Sequence, residues 1–144
     1  MDMTGQWFFW ALLSAFFAAL TALFAKAGVQ GVHPDLAAFI RTAVVVMVLG
    51  AFVWKSGAWT DPRLIPPRTW SFLLLSALAT GASWICYFRA LQSGDASAVS
   101  AVDRSSLALV ALLAVLFLGE RPSPRDWLGI ALVTAGAALM AFKR

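Results

Sequence analysis

Two charged residues stand side by side inside an apolar stretch, Asp103 and Arg104, and Arg41 interrupts another. Counting about 20 residues back from Glu120 puts Asp103 and Arg104 roughly one helical turn inside the apolar zone. Arg41 lies a similar distance into its own stretch, entering from the same side. A charge at the centre of a membrane helix costs about 2.5–3.5 kcal/mol on insertion scales, and less near the interface, where long side chains reach back to water. Charges in such places need partners. An Asp103–Arg pair reads either as a structural ion pair or as a coupling element that a ligand opens. Lys26 and Arg89 close two further stretches on that side, and either join this cluster or snorkel to the interface.

A second signal is a polar stripe. Ser76, Thr80, Ser83 and Tyr87 are spaced 4, 3 and 4 apart, which puts them on one face of a helix with Trp84 beside them. In lipid such a face turns inward, either to hydrogen-bond neighbouring helices or to line a binding surface. Aromatic faces suit amines and flat metabolites, so Ser76, Thr80, Ser83, Trp84 and Tyr87 are candidate binding residues, with Ser14 as the polar position of the first apolar stretch. Small residues recur at Ser14, Ala18, Ala22 and Ala25, while Gly129 and Gly136 lie one heptad apart. Both patterns allow close backbone approach, within the chain or, for the two glycines, at a contact between subunits.

Other chemistries lack their residues. With one cysteine, Cys86, and one histidine, His33, there is no internal disulfide, no cysteine metal site and no histidine cluster. No paired carboxylates, no nucleophile with a base and no glycine-rich phosphate loop are present, so neither an enzyme, a cofactor nor a metal ion is expected. The net charge of +4 comes from single basic residues between apolar stretches rather than from a basic run. These charges set membrane topology and do not bind nucleic acid.

The elements that must position these residues follow from composition. The 144 residues are 61% hydrophobic and 12% charged, against about 45–50% and about 25% in soluble domains. An all-α integral membrane protein is expected. Five spans can be drawn, at 7–27, 36–54, 69–91, 96–118 and 125–142, the last one short. The segment from Asp61 to Arg68, with three prolines, forms the longest connection. Continuous apolar runs exclude a β-barrel, whose strands alternate. The first span resembles a secretory signal only at Ala25-Lys26-Ala27. It lacks a basic leader, Asp2 being the only charge ahead of Trp7, and is expected to stay in the mature protein.

Five spans put the termini on opposite sides. Lys55, Arg63, Arg68, Arg121 and Arg125 fall on the side of the N-terminus, and Lys26, Arg41, Arg89, Arg104, Lys143 and Arg144 on the other. Five basic residues against six leave the positive-inside rule without a preference, which makes insertion in both orientations an expectation.

The order of features resembles one EamA domain of the drug/metabolite transporter superfamily. It is carried by Phe39-Ile40-Arg41-Thr42 in the second span, Tyr87-Phe88-Arg89-Ala90-Leu91 closing the third, Leu118-Gly119-Glu120 ending the fourth, and Gly129 through Gly136 in the fifth. Most members carry two such domains, and a chain with one resembles the half-size form. The resemblance implies a ten-helix transporter of two inverted five-helix halves around a central substrate path, which two antiparallel copies of this chain would supply. The related small multidrug resistance proteins assemble in that way, but the acid of their first helix has no counterpart here. The expectation is a secondary transporter, an exporter or exchanger of small metabolites or amine-like compounds, in the cytoplasmic (inner) membrane of a bacterium or archaeon. Alternatives are a non-autonomous subunit of a heteromeric EamA-type transporter and a membrane scaffold.

Overall fold

The computed structural model describes residues 3–141, with side chains for 6–141. The regular structure of the described residues is helical: α1 (Met3–Gly28), α2 (Pro34–Ser56), one turn of 3-10 helix (Pro62–Leu64), α3 (Pro67–Ser93), α4 (Ala96–Arg104), α5 (Ser106–Leu113), a π-helical turn (Ala114–Leu118) and α6 (Pro124–Ala141). Among the described residues four segments are long and apolar enough to cross a membrane: Gln6–Gly28, Pro34–Ser56, Pro67–Ser93 and Ala96–Leu118. The stretch expected to be a fifth span corresponds to α6, whose first turn holds Pro124, Arg125 and Asp126 and is too polar for α6 to join those four. Its expected last residue, Phe142, lies outside the described residues, as do Lys143 and Arg144.

Helix boundaries follow local chemistry. α2 starts at Pro34 in the first helical position, with His33 as its N-cap accepting the Asp35 amide at Nδ1, 3.3 Å. It stops at Gly57, whose φ of +66° is open to glycine and strained for other residues. The Gly57 amide reaches the Trp54 carbonyl and Ala58 that of Val53, the bonding of a Schellman cap. At α6, Ser123 and Asp126 cap each other: the Ser123 amide donates to Asp126 Oδ2 at 2.8 Å, and the Asp126 amide to Ser123 Oγ at 3.3 Å.

The fourth apolar stretch is not one continuous helix. Ser105, directly after Asp103-Arg104, interrupts it: the Ser105 amide bonds Val102 and the Ala108 amide bonds Ser105, both three residues back, and the Ser105 hydroxyl donates to the Val102 carbonyl at 2.6 Å. Serine hydroxyls compete in this way with the helical ladder. A π-type turn follows and ends on Gly119 at φ +68°, a device seen often where a helix is adapted for function.

The chain divides into two compact units. One is Ala25–Gln92. It contains the last turn of α1, all of α2 and nearly all of α3, and its buried residues include Ala25, Val29, Ala38, Phe88 and Leu91. The other comprises the described residues of Met1–Phe24 and Ser93–Arg144. Within it α4 and α5 pack against α6. Ala111, Ala114 and Ala137 are the buried positions there, so small side chains let these helices approach closely, as lipid-embedded packing requires.

Candidate functional site

In the unit Ala25–Gln92, side chains from three helix ends converge. Arg89 near the end of α3 donates from Nε and Nη2 to the two carboxylate oxygens of Asp35 at the start of α2, at 2.9 and 2.8 Å. Two parallel bonds between planar groups fix orientation as well as distance. Lys26 in the last turn of α1 donates to the Leu91 carbonyl at 2.6 Å, one of the carbonyls that a helix end leaves without an internal partner. Gln92 reaches the Val32 carbonyl at 3.5 Å. Beneath these polar contacts lie Val29 and Leu91, both fully buried, and Phe88, 2% exposed.

Arg41 sits seven residues into α2, about 10 Å along the axis. Its guanidinium carbon lies 3.9 Å from the centre of the Trp84 ring and 5.5 Å from that of Phe88. Trp84 and Phe88 are four apart on α3 and so share a face. Their rings form a wall on which the cation rests, attracted by the negative ring faces. The Tyr87 ring meets that of Phe88 edge-on, centroids 6.5 Å apart.

The polar stripe of α3 divides in two. Toward its C-terminal end Trp84 and Tyr87 are half-buried, and Trp84 carries the Arg41 guanidinium on its ring. Toward the N-terminus Ser76, Thr80 and Ser83 are exposed in this chain. The Thr80 hydroxyl donates to the Ser76 carbonyl one turn back at 2.9 Å, and Thr21, Thr42, Ser71 and Thr134 do the same in their own helices. Hydroxyls in lipid must find partners inside the protein, and here these five find them in the backbone of their own helix.

The other unit holds the remaining candidates. Asp103 and Arg104 are exposed, and among the described residues the side chains of both make no ion pair. Ser14 is exposed on α1. Gly129 and Gly136 are exposed on α6, and a Cβ added at either would meet nothing within 4 Å. Neither glycine is therefore required by packing inside this chain, whereas Ala137, the residue after Gly136, is buried.

Three participants escaped sequence reasoning. Asp35 was not singled out, although it opens α2 at the membrane side where Arg89 closes α3. That shared side was the available signal. Phe88 was one apolar residue among many, and only the i, i+4 relation to Trp84 marks it. The Leu91 carbonyl carries no side-chain signal at all.

Long apolar helices with few charges inside them define a polytopic α-helical membrane protein. The model of the EamA-like transporter family matches residues 5–142. An uncharacterized transporter encoded in the cobO 3' region of Sinorhizobium sp is 55% identical, the match covering 96% of this chain and 99% of that one. Two uncharacterized transporters of Bacillus subtilis, YxxF and YwfM, are each 28% identical, over 99% and 88% of this chain but only 45% and 42% of their own lengths. No solved structure matches. The chain belongs to the EamA-like transporter family, and the family and its relatives' names indicate a membrane transporter. With bacterial relatives and helices suited to a bilayer, its place is the inner membrane.

Proposed function

We propose that the protein is a secondary transporter, an exporter or exchanger of small metabolites, working by alternating access between two copies of the chain arranged antiparallel. The observation that carries this reading is length. The chain aligns along the whole of one family transporter yet along less than half of two others, so two copies supply what those chains carry in one. A near-even division of basic residues between the two sides supports insertion in both orientations, which an inverted pair of one sequence needs. In this reading each copy adds a fifth crossing through α6, and Gly129 and Gly136, where an added Cβ would meet no described residue within 4 Å, serve the contact between copies. Ser14, Ser76, Thr80, Ser83, Trp84 and Tyr87 line the substrate path, and Asp103, Arg104 and Arg41 supply coupling charge.

Reporter fusions at the C-terminus test the arrangement. Cytoplasmic and external signals at comparable levels are expected, and one orientation above about 90% would sink it. Two lysines added to the connection between Asp61 and Arg68 should hold the N-terminal side in the cytoplasm and abolish transport when that variant is the only copy present.

A further inference from the structure

We propose that Arg41, lying on Trp84 and Phe88, is the anion-binding subsite of the transport path, and that the substrate class is small organic molecules presenting a carboxylate. The inference rests on the transporter reading and names its substrate. A guanidinium carries five N–H donors and no acceptor. Among the described residues Arg41 lies over the rings of Trp84 and Phe88 and forms no ion pair. A flat cation stacked on a ring uses its face and leaves its N–H edge open, and that edge matches a carboxylate through two parallel bonds.

The unit offers no acid to fill this place. Between residues 25 and 92 the only acids are Asp35 and Asp61. Both oxygens of Asp35 are taken by Arg89, and Asp61 caps the 3-10 turn through the Arg63 amide at 2.9 Å. The charge about two turns into α2 is thus paired with polarisable rings and with no counter-ion, although an unpaired charge in an apolar slab is expensive. Trp84, whose face would otherwise suit an amine, already carries a cation and repels another. An incoming oxyanion gains the fork, the positive charge and a flat aromatic floor together.

The same oxyanion chemistry could come from a lipid headgroup, so the test separates the two sources. The full chain is reconstituted in phosphatidylcholine nanodiscs, and binding of radiolabelled phenylacetate, benzoate and succinate is measured. Saturable binding of at least one is expected, with phenylacetamide and phenethylamine failing to compete. Arg41→Gln should weaken it by about tenfold or more, since the charge-assisted fork is lost. Arg41→Lys, which keeps the charge but not the fork, should recover part of the loss. Arg63→Gln, in the exposed connection, should leave binding unchanged. The inference is overturned if none of the three carboxylates binds, if phenethylamine competes, or if Arg41→Gln binds as wild type does. Displacement by added phosphatidylglycerol would assign the subsite to lipid and overturn the small-molecule assignment. Vesicle transport keeps the two readings apart. Movement of cationic dyes that Arg41→Gln does not alter would remove the carboxylate inference and keep the transporter. Failure to move any cationic, neutral or carboxylate compound would remove the transporter reading itself.

Discussion

Arg41 and Trp84 are coupled by a stack whose strength can be estimated and measured. Cation–π contacts contribute about 0.5–1 kcal/mol at exposed sites and about 2 kcal/mol when desolvated. Arg41 is half-buried, and its guanidinium is 3.9 Å from the Trp84 centroid, so about 1–1.5 kcal/mol is expected from this pair. Phe88, at 5.5 Å, is near the edge of the useful range and adds a few tenths of a kcal/mol. Arg41→Gln by itself should change stability by no more than about 1 kcal/mol in either direction, because removal of a cation from the apolar zone offsets the lost stack. The informative quantity is the interaction energy of a double-mutant cycle with Trp84→Leu, which keeps an apolar side chain at that position. Unfolding by dodecyl sulfate in mixed micelles, followed by helical circular dichroism, supplies the four free energies. Coupling near 1 kcal/mol is expected. Additivity to within about 0.3 kcal/mol would refute the stack as the feature that holds Arg41.

Phe88→Ala should cost about 3 kcal/mol or more in the same titration, because a nearly fully buried ring leaves a cavity, whereas Phe72→Ala, 62% exposed, should cost much less. Asp35→Asn and Arg89→Gln should each lower the thermal midpoint of the purified protein, and Asp35→Arg combined with Arg89→Asp should restore part of it. Failure of the exchanged pair to recover anything would mean that the forked contact does not join α2 to α3. Asp103→Asn should insert and assemble but lose most transport. Full transport by Asp103→Asn in reconstituted vesicles at several pH values would leave Asp103 without a coupling role.

The broad plan was legible in the order of residues because lipid imposes a one-dimensional rule. A helix that crosses an apolar slab must be apolar for about 20 residues and satisfy its own backbone, so composition and run length alone announce a helical membrane protein. Some helix ends were equally visible: Leu118-Gly119-Glu120 stands where the fourth apolar stretch ends. The resemblance drawn from short motifs, Phe39-Ile40-Arg41-Thr42 and Tyr87-Phe88-Arg89 among them, pointed to the family to which the chain belongs. What the order of residues did not decide was which charge meets which group. Arg41, Lys26 and Arg89 were all assigned to one side, and that side also held Asp103 and Arg104. Depth along a helix is set by sequence position, but azimuth, the neighbouring helix and the reach of each side chain are set only by folding. Tertiary structure therefore chose Asp35 for Arg89, the Leu91 carbonyl for Lys26, and the Trp84 and Phe88 rings for Arg41. It also broke the fourth apolar stretch at Ser105, because competition between a hydroxyl and the helical ladder is decided by local packing that hydropathy does not register.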